Sequence, residues 1–141
     1  MIKTNRGDYK FPGGGKNDNE SRIETLIREV KEESGYEVKK VDRQIGVIIE
    51  RRPDFIDQDA IFEMISFYYL CQVSEERKSQ NLDQMEIEQE FKPEWISLDE
   101  AIYNNETLLN SRREDLNFWV ERETSALKEI RKMLTEGAIK I

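Results

Sequence analysis

Phe11-Pro12-Gly13-Gly14-Gly15, followed after a polar stretch by Arg28-Glu29-Val30-Lys31-Glu32-Glu33-Ser34-Gly35-Tyr36, is the part of the chain that decides its fold. A glycine-rich loop feeds a helix, the helix carries Glu29, Glu32 and Glu33 within one turn, and Gly35 ends it. Residues three and four apart share a helix face, and like charges at that spacing destabilise it unless a cation compensates them. A hard divalent ion such as Mg²⁺, which takes oxygen ligands and leaves room for phosphates, removes the repulsion. Ile23, Leu26, Ile27 and Val30 fall at i, i+3, i+4 and i+7 and predict the buried stripe of a helix over about Glu20 to Ser34. At about 100° per residue the acids lie roughly 120° from the centre of that stripe. Asp18 or Asn19 is the expected cap at its start, and Gly35 closes its end in the left-handed conformation.

Beyond this helix, Ile45 to Glu50 and Phe62 to Val73 read as strands, the second apolar on both faces and therefore central in a sheet. A surface loop containing Pro53 joins them. Trp95 to Leu98 reads as a further short strand, and Ser97 with Glu100 forms a capping-box signal for a helix to about Tyr103, ended by Asn104 and Asn105. Leu116, Val120, Leu127, Ile130 and Leu134 predict an amphipathic helix over roughly Arg113 to Leu134, with Trp119 alongside.

The 141 residues suit one domain spanning 1–141, with that amphipathic helix at its C-terminal end. Charged and hydrophobic residues make up 37% each, enough periodic apolar sequence to exclude disorder. A net charge of -8 argues against nucleic acid and anionic membranes as partners, since no basic patch is present to release counterions. No signal peptide or membrane-length apolar run is evident, so the expected location is cytoplasmic. Histidine is absent, which excludes His triads and His metal sites and leaves carboxylates as acid, base and ligand groups. Cys71, the only cysteine, lies in an apolar run and reads as a small buried hydrophobe rather than a reactive thiol.

Gly14, Glu20, Arg28-Glu29-Val30, Glu32-Glu33 and Gly35 have the spacing G-x5-E-x7-R-E-U-x-E-E-x-G, which resembles the signature box of the Nudix hydrolase family, here Gly14 to Tyr36. The Phe-Pro-Gly-Gly lead-in and Trp95 followed by Leu98-Asp99-Glu100-Ala101 also look like family features. The resemblance implies an α/β (α+β) fold, a mixed β-sheet sandwiched by helices. It further implies metal-dependent hydrolysis of a pyrophosphate bond in a nucleoside diphosphate linked to another group, a small-molecule partner.

On the same resemblance, Glu29, Glu32 and Glu33 would ligate Mg²⁺ or Mn²⁺, with the backbone carbonyl of Gly14 as a further ligand. Arg28, four residues before Glu32, would pair with it and hold its carboxylate. Glu20 either joins the loop to the helix or is simply a favourable first-turn acid. Glu29 is the first candidate for general base. Some members place the base outside the box, before the tryptophan-bearing strand, and there Glu86, Glu88 and Glu90 alternate along what reads as an extended run, either catalytic or a solvent-facing edge. Glu86 is the one to test first. Arg6, Lys10, Arg51 and Arg52 are candidates for substrate phosphates, and Phe55, Tyr68 and Trp95 for packing against a base.

Family members usually have one or more strands ahead of the glycine loop, where this sequence offers only Met1 to Lys10. The usual first strand is therefore expected to be missing, with Ile2-Lys3-Thr4 the end of a strand and the exposed sheet edge covered by a homodimer partner or a local rearrangement. Tyr36 replaces the usual aliphatic end of the box, and Asn17 and Asn19 stand where many members carry Glu and Gly. A nucleotide-binding or regulatory module with little turnover remains the alternative. An acidic interaction domain using the terminal helix is a third reading, one that an exposed Trp119 would favour.

Overall fold

The computed structural model describes residues 1–54, 56–57 and 59–140; Phe55 lies outside the described residues. Ile2–Lys3 (β1), Tyr9–Lys10 (β2) and Lys92–Pro93 (β5) form one antiparallel sheet in the order β2-β1-β5, and Val38–Pro53 (β3) with Ile61–Val73 (β4) forms a long antiparallel ribbon. The helices are Arg22–Ser34 (α1), Gln84–Glu88 (α2), Leu98–Asn110 (α3) and Val120–Thr135 (α4). The class is α+β, with the strands divided between two antiparallel sheets.

Met1 to Lys10 supply more than the end of a strand. Ile2, fully buried, sits in the central strand of the small sheet, and a turn through Gly7 returns the chain as β2. Pro93 has no N–H to give, which suits its place on the edge strand β5. The outer edge of β2 is closed by a side chain: Asn105 accepts from the Tyr9 amide and donates to the Tyr9 carbonyl, both at 2.9 Å. That pairing is why α3 runs past Asn104 and Asn105 to Asn110. The two asparagines do not end the helix; Asn105 is buried in it and serves as a substitute strand.

Other boundaries also move. Ser21, not Asp18 or Asn19, caps α1, in a reciprocal box with Glu24. Gly35 closes the helix at φ 77°, and a Cβ there would run into the Lys78 carbonyl. β3 starts seven residues before the expected strand, its register with β4 broken by irregularities between Val38 and Gly46. The strand before Trp95 is Lys92–Pro93, with residues 94–97 outside it. The segment read as extended around Glu86 is a helix, because Asp83 and Glu86 form a capping box that a two-residue alternation over so few positions could not outweigh.

α4 begins at Val120 rather than Arg113 because the residues before it are drawn inward. Asp8, fully buried, accepts hydrogen bonds from Thr4 Oγ1 (2.6 Å), Asn117 Nδ2 (2.8 Å) and Trp119 Nε1 (2.8 Å). Trp119 then packs with Ile2, Phe91 and Val120 in one core cluster, while Leu127 joins Tyr9, Ala101 and Ile102 in another. A buried Trp119 removes the observation that would have favoured an interaction surface on this helix. Among the described residues no helix is long and apolar enough to cross a membrane.

The largest departure concerns which side of α1 is covered. Val30 is buried as expected, yet Ile23 and Ile27 remain 38% and 40% exposed, and the buried residues include Glu29 and Glu33. The helix turns its acids toward the glycine loop and leaves part of its apolar stripe facing outward.

Candidate active site

Glu33 anchors the acidic side. Its carboxylate takes the Lys10 ammonium at 2.7 and 2.8 Å and the Gly13 amide at 3.0 Å, so β2, the loop and α1 meet on one buried side chain. Lys10 also donates to the Gly13 carbonyl at 3.2 Å and lies 5.0 Å from the centre of the Phe91 ring. Burial pushes the Glu33 carboxyl up to about 7, against the opposing pull of Lys10. Glu29, one turn earlier, is also buried and raised by desolvation, and Glu86 adds repulsion to both. Gly14 passes directly over Glu29: a Cβ on it would stand 2.6 Å from a carboxylate oxygen, so any larger residue would have to push the Glu29 carboxylate out of its present position.

Arg28 uses its whole guanidinium fork to join helix and loop. Nε donates to Glu20 Oε1 (2.6 Å), Nη1 to Glu29 (2.6 Å) and Glu32 (3.0 Å), and Nη2 to Glu20 Oε2 (3.0 Å) and the Gly15 carbonyl (3.2 Å). Arg28 thereby draws the Glu20 carboxyl down to about 2, with the Asn17 amide and the Thr25 hydroxyl as further donors. The loop-joining reading of Glu20 thus has a geometric basis that first-turn placement alone would not supply, since Glu20 precedes the helix.

Across from α1, Glu86 occupies the third position of α2, one oxygen accepting the Asp83 amide at 2.8 Å. Carboxylate atoms of Glu29, Glu33 and Glu86 lie within 4.8 Å of one another. An open cleft of about 240 Å³ adjoins them, lined by Arg28, Glu29, Glu32, Asn81, Leu82, Asp83 and Glu86.

This site lies within the stretch that comparison with known proteins matches. A NUDIX domain model matches residues 2–120. The chain belongs to the Nudix family. Curated proteins and solved structures give no match. Nudix domains are in general pyrophosphohydrolases acting on phosphorus anhydrides, and Nudix enzymes generally use divalent metals.

The residues present fit such a cation. All the side-chain donors are carboxylate oxygens, the set preferred by hard divalent ions. Two of the acids are buried with their carboxyls held above the ordinary range, the condition that a nearby positive charge would relieve. The space over Glu29 is kept open by a glycine.

Sequence reasoning expected Glu29, Glu32 and Glu33 as one trio. The Nudix structure instead groups Glu29 and Glu33 with Glu86, while Glu32 stands on the cleft wall held by Arg28. Among the described residues lining the cleft, the cation is Arg28, and Arg6, Lys10, Arg51 and Arg52 are elsewhere. Lys10 is buried on Glu33; Arg51 pairs with Glu63 at 2.6 Å on the ribbon; Arg52 lies over the Phe62 ring; Arg6 sits in the β1–β2 turn, its carbonyl held by Arg113. Trp95 is exposed and donates to the Tyr36 hydroxyl at 3.0 Å, the two rings edge to face. Tyr68 is half-buried, its hydroxyl on Glu123. Lys10 as partner of Glu33 was missed, although a cation one residue before the Phe-Pro-Gly-Gly turn is the nearest charge the loop could offer a buried acid.

Proposed function

We propose that this Nudix protein hydrolyses the pyrophosphate bond of a nucleoside diphosphate linked to another group, using Mg²⁺ or Mn²⁺. The observation that carries this reading is the approach of Glu86, from α2, to Glu29 and Glu33 of α1 beside an open cleft of about 240 Å³. Glu29, Glu33 and Glu32 would hold the cation, with the Gly14 carbonyl as a further ligand. When bound, a divalent cation neutralises diphosphate charge and makes water more acidic. Glu86, which lines the cleft, would take the proton of the attacking water on the oxygen that the Asp83 amide leaves free. Glu29 is less suited to this, because one of its oxygens is held by the charged guanidinium of Arg28 where Glu86 has only a neutral amide, and its carboxylate is needed for the cation. Arg28 keeps Glu29 and Glu32 oriented and leaves the loop little freedom to drift from the helix.

The pure protein is to be incubated with Mg²⁺ or Mn²⁺ and a panel of dinucleoside polyphosphates, nucleotide sugars and nucleoside triphosphates, beside Glu29→Gln and Glu86→Gln. Glu29→Gln should weaken Mn²⁺ binding and turnover together, whereas Glu86→Gln should lower kcat and leave Mn²⁺ affinity within a few-fold. Metal-dependent nucleotide binding without turnover by the unaltered protein would favour the regulatory alternative. Turnover untouched by chelator or by Glu29→Gln would overturn the site.

A homodimer through the ribbon is part of the same reading. Val47, Ile49, Ile61 and Ile65 are exposed on one face of β3–β4, and two strands alone are marginal in water. The Arg51–Glu63 pair on that face gives a twofold mate both charges it needs to pair in return. Light scattering at micromolar concentration should report twice the chain mass; the mass of one chain would refute it.

A further inference from the structure

The glycine loop is gripped from a second side, by a residue beyond the stretch that the Nudix model matches. Glu123, in the first turn of α4, is 3% exposed. Its Oε2 accepts the Phe11 amide at 2.9 Å, and its Oε1 accepts the Tyr68 hydroxyl at 3.2 Å and Arg122 Nε at 3.0 Å. Arg122 in turn donates to Glu50 on β3 at 2.9 Å. Burying a carboxylate costs several kcal/mol before its partners compensate, and an apolar residue would attach α4 to the ribbon more cheaply. What an apolar residue could not do is accept the amide at the start of the loop.

We infer that Glu123 is a positioning residue for the glycine loop: it fixes Phe11 while Glu33 fixes Gly13, and the two anchors together set the height at which Gly14 crosses Glu29. The consequence for cation affinity rests on the reading of the acidic cleft given above; the clamp itself does not. Phe11 also packs edge to face on Tyr68, at 5.8 Å between ring centres, so its side chain rests on β4 while its backbone is held by α4.

The test compares Glu123→Ala, Glu123→Gln, Tyr68→Phe and Val120→Ala. Val120 is buried in the same helix turn and bonds nothing in the loop, so its truncation reports simple loss of packing. Two readouts are needed: amide hydrogen exchange of residues 10–15 without metal, and Mn²⁺ affinity by electron paramagnetic resonance. Glu123→Ala should speed exchange in the loop and weaken Mn²⁺ binding about tenfold, as loss of an outer partner does. Glu123→Gln, which keeps a carbonyl oxygen for the Phe11 amide, should recover most of both. Val120→Ala should lower Tm and leave both readouts near the unaltered values, and Tyr68→Phe, which removes one partner of Glu123 but keeps the ring on Phe11, should fall between it and Glu123→Ala. If Glu123→Ala does not fold, Glu123→Asp, one methylene short of Phe11, carries the same comparison. Unchanged loop exchange in the folded variant, or an equal change in Val120→Ala, overturns the clamp. Absence of Mn²⁺ binding in the unaltered protein would instead sink the cleft reading and leave exchange to decide the clamp.

Discussion

The acid side of α1 and the outer face of the β3–β4 ribbon invert the usual rule about what a protein hides. Around α1, Glu29 and Glu33 are buried with Lys10 and Thr25, whereas on the ribbon Ile49 is 54% exposed and Val47, Ile61 and Ile65 stand open beside it. The difference is one of partners. Each buried acid is met by a specific donor, Arg28 or Lys10 with Gly13, while on the apolar ribbon face Arg22 of α1 covers Phe67 near one end and the residues beyond it stay exposed. Burial here follows the needs of the glycine loop, and the apolar surface left over is what the proposed homodimer would cover.

The comparison breaks most visibly at Glu29. Replacing it by Gln should cost on the order of 10³-fold in kcat/KM, more than the 10–100-fold of an outer partner, measured on the best substrate of the panel. Lys10→Met tests the other buried acid: it strands Glu33 without its cation and should lower folding stability by about 3 kcal/mol in urea titrations with chelator present. A loss near zero would mean that Glu33 is already neutral at that pH.

The pH profile sharpens this point. The folded Glu33 carboxyl is raised to about 7 by burial, above its unfolded value, so the unfolded chain gives up that proton first as pH rises. Stability of the chelated protein should therefore fall between about pH 4.5 and 7, by up to roughly 3 kcal/mol, and then level off. Glu33→Gln should flatten that part of the curve, and saturating Mg²⁺ should raise Tm most above pH 7. The smallest effect belongs to the ribbon: Ile49→Lys should leave the stability of the chain within about 0.5 kcal/mol and its per-chain turnover unchanged, while light scattering reports loss of the dimer. A fall in turnover would connect the two regions that the comparison separates.

Local signals were read well where they involve only neighbours along the chain. The existence of α1, the left-handed stop at Gly35, the Ser97–Glu100 box and the two long strands depend on spacings of a few residues, and all appear, although the α1 period does not predict which face is buried. Misreadings occurred where the deciding partner is distant. Asn105 looked like a helix end and is a bracket for β2, 96 residues away in sequence. Lys10 is a sequence candidate for substrate phosphate and is sealed on Glu33; Trp119, whose exposure would favour an interaction surface, is buried and tied to Asp8. The Asp83–Glu86 box was legible but overlooked, because alternating acids suggested a strand.

The sequence by itself determined the family box, the glycine loop and the run of acids on one helix, because backbone conformation and helix spacing are local properties that no distant contact has to supply. Which acids meet was decided only by the tertiary structure. Glu86 joins Glu29 and Glu33, and Glu123 reaches Phe11, because helices far apart in sequence are packed against one loop, and a spacing rule carries no information about that packing.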